Sequence, residues 1–148
     1  MKKILFLTSS IKPDHGYGVV SYHLINEILK SRKYTVITVT SANDKLFSMR
    51  WNSKFSLLFN IVDTLRLAMT YKKNGIDLIC CLTEHFSVVG FMLNFLFGTP
   101  YVIVAHGTYA VVLPKYNKFF EIAFKNAYKI ACVSRFTERK MKENCNML

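Results

Sequence analysis

The sequence predicts an α/β fold built on a doubly wound parallel sheet with helices on both faces. Three observations lead there. Apolar runs of strand length alternate with helix-length segments along the chain. The first run, Ile4-Leu5-Phe6-Leu7, is continuous and not alternating, as expected of a strand covered on both faces. No repeat or low-complexity tract interrupts the series. With right-handed crossovers these strands are expected in the order 3-2-1-4-5. Ligands would then bind at the carboxyl ends of the strands, beside a switch point between strands one and four. A length of 148 residues fits one domain, 1–148.

After the first strand comes a polar loop, Thr8 to Tyr17. Val20, Leu24, Ile25, Ile28 and Leu29 then recur at helical spacing, and Lys30 to Lys33 supply a basic last turn. Tyr34 to Thr40 is rich in β-branched residues and reads as strand two. Ser41 to Asn52 is a polar connection. A helix over about Lys54 to Lys73 carries Phe55, Leu58, Phe59, Val62, Leu65 and Met69 on one face, and Gly75 ends it. Asp77 to Leu82 is strand three, and Thr83 is placed to cap a helix whose first-turn acid is Glu84. Gly98-Thr99-Pro100 breaks that helix before strand four, Tyr101 to Ala105. A loop from His106 to Lys115 leads to a helix with Tyr116, Phe119, Phe120, Ala123 and Ala127. Lys129 to Val133 is strand five, and Ser134 opens a final helix.

Lys and Arg outnumber Asp and Glu by 20 to 9, a net charge of +11. Such a surplus attracts nucleic acid, anionic lipid headgroups or phosphate-bearing substrates. No helix-turn-helix or RNA-binding signature accompanies it, so a nucleic-acid partner is not expected. The four cysteines, Cys80, Cys81, Cys132 and Cys145, contain no C-x-x-C pair. Cys80 and Cys81 are adjacent on a strand and point to opposite faces, which reads as reduced, buried thiols in a cytoplasmic protein and not as a metal site. Met1-Lys2-Lys3 imitates the start of a signal peptide, but Lys12, Pro13 and Asp14 cut its apolar run short. The apolar stretch from Phe86 to Phe97 would span only about 18 Å as a helix, too short for a bilayer.

His15-Gly16-Tyr17-Gly18 lies just before a helix. Glycines there let the backbone approach a phosphate, whose charge the helix N-terminus favours. Ser21 stands where a dinucleotide fingerprint has its third glycine, and no acid ends strand two, so an NAD site is disfavoured. A plain flexible turn is the other reading. Strand four ends in Ala105-His106-Gly107-Thr108, which puts a histidine in the ligand crevice with a donor and an acceptor near neutral pH. A structural histidine is the alternative. His15, His23 and His85 are too scattered for a metal site. Ser134 reads first as an N-cap, and Arg135 reaches either an anionic ligand or only the helix surface.

Lys3-Ile4-Leu5-Phe6-Leu7-Thr8 with Gly16-Tyr17-Gly18-Val19-Val20 resembles glycosyltransferase family 4, the large retaining GT-B group. Asp77-Leu78-Ile79, Pro100-Tyr101-Val102, Ala105-His106-Gly107-Thr108 and Ala131-Cys132-Val133-Ser134-Arg135-Phe136 follow in that family's order. The resemblance implies a Rossmann-like amino-terminal domain that supplies the acceptor site, while a second domain holds most of the nucleotide-sugar. Gly16, Tyr17 and Gly18 would lie near the donor phosphates and His106 near the transferred sugar, with Gly107, Thr108, Ser134 and Arg135 lining the substrate. Transfer would retain configuration and need no essential metal or other cofactor. The second domain, with its paired glutamates, is not among these residues, so a truncated unit without turnover of its own is expected. The acceptor is expected to be a sugar or a lipid-linked glycan for surface polysaccharide or glycolipid. The charge and the apolar helices, Lys54 to Lys73 and Phe86 to Phe97, are compatible with peripheral contact with anionic lipid on the inner membrane face; the alternative, favoured for Phe86 to Phe97, is that these helices face the sheet or the second domain. A non-catalytic binding module and another nucleotide-binding Rossmann protein are the alternatives.

Overall fold

The computed structural model describes residues 1–13, 16–40, 61, 64–69 and 74–145. Strand β1 (Lys2–Thr8) is buried from Ile4 to Thr8 and takes an interior place in the sheet. It pairs in parallel with β2 (Tyr34–Thr40), Lys2 opposite Tyr34, and on its other side with β3 (Leu78–Cys81), Ile4 opposite Leu78. Strands β4 (Tyr101–Ala105) and β5 (Lys129–Cys132) continue the parallel sheet, giving the order β2-β1-β3-β4-β5. The fold class is the expected Rossmann-like α/β sheet.

The strand order is a correction to 3-2-1-4-5. Only Thr40 of β2 is buried, and its Tyr and Thr side chains suit an edge better than an interior position. Ile79, Cys80 and Cys81 of β3 are buried and belong between two neighbours. The chain therefore returns across β1 after β2, and the switch point falls between β1 and β3.

Alternation along the strands feeds two cores. Leu5, Leu7, Ile79, Cys81, Ile103 and Ala105 meet helices α2 (Ser87–Phe97), α3 (Thr108–Tyr116), α4 (Lys118–Lys125) and α5 (Arg135–Cys145) on one face. Ile4, Phe6, Cys80, Leu82 and Val104 meet Ile25 and Ile28 of α1 (Gly16–Lys30) on the other. Cys80 and Cys81 thus do face opposite ways, and burial pushes both thiols up, Cys80 to about 12. At Gly90 of α2 a Cβ would lie 2.6 Å from Cys81 Sγ and 3.1 Å from the Tyr101 ring, so the glycine sets how closely helix and sheet approach. Gly98 closes α2 with φ +69, its N–H donating to the Asn94 carbonyl.

Three boundaries move. Helix α1 begins at Gly16, which brings both loop glycines into its first turn. A 3-10 turn, Glu84–Phe86, precedes α2, and the Thr83 hydroxyl accepts from Ser9 Oγ at 3.2 Å without capping it. The expected loop after His106 is mostly α3, carrying Pro114; extended Asn117 then separates α3 from α4 and caps the latter, accepting from Phe119 N at 3.0 Å. Most of the helix expected over Lys54 to Lys73, the connection Ser41 to Asn52 and His15 lie outside the described residues. Residues 64–69 are helical, with Thr64 and Leu67 buried and Leu65 and Met69 exposed. Asn74 is helical, and Gly75, at φ +61, follows it. Among the described residues no helix is long and apolar enough to cross a membrane.

Candidate functional site

The carboxyl ends of β1, β3 and β4 lie side by side, and each contributes to one cluster. From β1, Thr8 is fully buried and its Oγ1 donates to the Ser10 carbonyl at 3.0 Å or shares a proton with Ser21 Oγ at 2.7 Å. These bonds fold the Ser9–Pro13 segment back over the start of α1. At Gly18 the fit is tight: a Cβ there would stand 1.8 Å from the Lys12 carbonyl oxygen. At Gly16 nothing lies within 4 Å. The space beside Gly18 is thus taken by the protein's own backbone, whereas Gly16 borders open space.

A test follows directly. Gly18→Ala is expected to cost about 1–3 kcal/mol, since backbone must move to admit the methyl, while Gly16→Ala costs less than about 1 kcal/mol. Urea unfolding of both variants checks this, and equal stabilities would deny the close approach.

His106 leaves β4 and is held at two points by the end of β3. Its Nε2 lies 2.9 Å from the Leu82 carbonyl, and its backbone N–H donates to Glu84 Oε1. A carbonyl only accepts, so Nε2 carries the proton and Nδ1 is left as a lone-pair acceptor. Burial lowers the imidazole's pKa against the opposing pull of the Leu82 bond. The Tyr17 ring meets it edge-on, centroids 4.8 Å apart at 71°. Burial first, then the nearby Glu84 and Tyr109, push the Tyr17 phenol up to about 12, so it remains a neutral donor.

Gly107 follows at φ +59 and ψ −127, a conformation that favours glycine. Its N–H donates to Thr137 Oγ1 at 3.2 Å. Ser134 caps α5 by accepting from Thr137 N at 3.1 Å, as its position between strand and helix predicts, and its hydroxyl meets Thr137 Oγ1 at 3.0 Å. Ser134 thus stands behind the site, joined to it through Thr137. Thr108 opens α3, and Arg135 is exposed on α5.

The structure therefore brings together Tyr17, His106 and Gly107, backs them with Ser134, and leaves Arg135 exposed at the start of α5. It also adds Glu84, which was legible only as a first-turn acid. Its side chain is fully buried, and Oε2 has no hydrogen-bond partner among the described residues. Burial, partly offset by bonds from the backbone N–H groups of Glu84 itself and His106, raises the carboxyl to about 7. Beside it, burial lowers His85 to about 3; the His85 ring meets Tyr109 edge-on at 5.8 Å. His23 sits away from this cluster, against Tyr22 on α1.

The two shifts act on stability with opposite sign. Between about pH 4.5 and 7 the unfolded chain releases the Glu84 proton that the folded one keeps, so this contribution falls as pH rises. Between about 6.5 and 3 the unfolded chain takes up a His85 proton that the folded one refuses, so this contribution falls as pH drops. Glu84→Gln removes the first alone. Relative to the wild type, its stability is expected to rise by on the order of 2 kcal/mol between pH 4.5 and 7.5. A pH-independent difference in urea unfolding would show that the Glu84 carboxyl is not held neutral.

A search of curated proteins returns no match. A family model described as Glycosyltransferase Family 4 matches residues 15–147, nearly the whole chain.

Proposed function

We propose, from the premise that this chain belongs to glycosyltransferase family 4, that it forms the acceptor-side unit of a retaining transferase that uses a nucleotide-sugar. The observation that carries this reading is the seating of His106 at the end of β4, with Tyr17 against it and its Nδ1 lone pair unused by the Leu82 bond. A neutral imidazole acceptor beside a phenol donor is the pairing a sugar hydroxyl needs. Gly16, at the start of α1 and bordering open space, supports approach of the donor phosphates to the helix N-terminus. Gly107 and Thr108, at the turn into α3, are assigned to the same wall, with Ser134 supporting it through Thr137 and Arg135 exposed at the start of α5.

In this division of labour a second Rossmann-like unit supplies most of the nucleotide contacts, and positive groups and backbone donors stabilise the leaving diphosphate without an essential metal. The acceptor is a glycan or lipid-linked glycan for surface polysaccharide or glycolipid. Residues 1–148 are expected to bind acceptor glycans but not to transfer sugar alone. Binding to a glycan array, together with a transfer assay over a panel of radiolabelled nucleotide-sugars, tests this. Turnover by residues 1–148 alone, or no glycan bound, would contradict it.

A second reading concerns where the unit works. Phe95, Leu96 and Phe97 at the end of α2 are 81%, 51% and 38% exposed on a chain of net charge +11. These features support peripheral contact with anionic lipid on the cytoplasmic face. Co-sedimentation with liposomes at low salt is expected only when anionic lipid is present, and failure to bind there ends the reading.

A further inference from the structure

Glu84 is placed where a carboxylate is costly. It is fully buried, one oxygen has no partner, and no cation pairs with it among the described residues. Burying such a group costs free energy unless its bonds compensate, and an apolar residue of similar volume would avoid that cost. Its one bond outside its own segment is long-range in sequence, from the backbone N–H of His106, 22 residues on. The same short segment, through the Leu82 carbonyl, holds the His106 ring. From the opposite side Thr137 holds the next N–H, that of Gly107, whose left-handed backbone has no side chain to lock it. The turn that carries His106 is thus fixed by three bonds from two elements, and Glu84 supplies the one to the histidine's own backbone.

We infer that Glu84 is a positioning residue for His106: by accepting its backbone N–H, it fixes the direction of a ring that faces substrate while itself touching none. The neighbouring groups are consistent with this division. Tyr17 and His85 both lie near Glu84 and both are neutral at neutral pH, and among the described residues no charged partner draws the carboxyl away from the His106 amide. The inference rests on the sugar-site reading only for what the ring faces, not for how the ring is held.

The test uses residues 1–148 and three variants, read by the His106 backbone amide and by ring-nitrogen NMR. Glu84→Gln keeps an oxygen acceptor of the same reach. It is expected to preserve the His106 amide signal and the Nε2–H tautomer. Glu84→Ala removes the acceptor, and Glu84→Asp withdraws it by one methylene. Both are expected to shift the amide, to mix the ring tautomers, and to weaken glycan binding roughly tenfold. A merely structural role would lower the melting temperature and leave these ring signals alone. The inference is overturned if folded Glu84→Ala or Glu84→Asp keeps the wild-type signals, or if Glu84→Gln loses them. Should Glu84→Ala not fold, the Gln and Asp pair decides. A wild type that binds no glycan would end the sugar-site reading, and the ring signals would still judge the positioning.

Discussion

Replacing His106 by alanine is expected to weaken acceptor-glycan binding by about 10- to 100-fold while costing only about 1 kcal/mol of stability. The functional figure follows from leaving a sugar hydroxyl without its acceptor in a half-buried site, which costs about 1–3 kcal/mol, with each 1.4 kcal/mol a factor of ten. The stability figure is smaller because, among the described residues, the ring makes one hydrogen bond, to the Leu82 carbonyl, and one aromatic contact, with Tyr17. Titration calorimetry with the bound glycan, alongside urea unfolding, separates the two effects. Unchanged affinity would remove His106 from the sugar site and make it a structural residue.

Phe6→Ala is expected to produce the largest loss of stability, about 3–5 kcal/mol. Phe6 is fully buried on the interior strand, in the core formed with Ile4, Ile25, Cys80, Leu82 and Val104. Truncation removes the ring from a site bounded by the sheet below and α1 above, where neither layer can collapse inward without breaking strand pairing. Against a total of about 5–15 kcal/mol for a domain, the loss takes roughly a fifth of the whole or more. Phe95→Ala provides the control: that ring is 81% exposed, so its removal is expected to stay within about 0.5 kcal/mol. Similar unfolding midpoints for the two variants would contradict the burial of β1 between β2 and β3.

The fold class was legible because it depends on local pattern. Continuous apolar runs at Ile4–Leu7 and Tyr101–Ala105, separated by helical periodicity, leave few architectures open. Strand order was less legible because pairing is a tertiary choice. It turned on β2 carrying threonines that tolerate an edge, a feature that β-propensity scores as strand without saying where. The α3 segment was hidden by Gly107 and Pro114, both of which read as loop; Pro114 instead lies within the helix close to its end.

The site divides the same way. Ser134 announced itself, since a hydroxyl between a strand and a helix has a local job as a cap. His106 and Gly107 were visible from their place at a strand end. Gly18 was visible as a glycine at a helix start, but the Lys12 carbonyl oxygen that crowds its Cβ position is a tertiary contact that the motif does not encode. Glu84 could not be seen as a buried partner at all. A first-turn acid normally points to water, and only the meeting of β3 and β4 turns this one inward, toward a backbone N–H 22 residues away.

We propose that the ends of β1, β3 and β4 form the sugar-facing site of this family 4 domain. Amide chemical-shift mapping of residues 1–148 titrated with an acceptor glycan tests it most directly. The expected result is a set of perturbations confined to Gly16–Gly18, Leu82–His85 and His106–Tyr109, lost in the His106→Ala variant. Perturbations centred instead on the outer face of α1, around Tyr22, His23 and Asn26, and unaffected by that substitution, would contradict it.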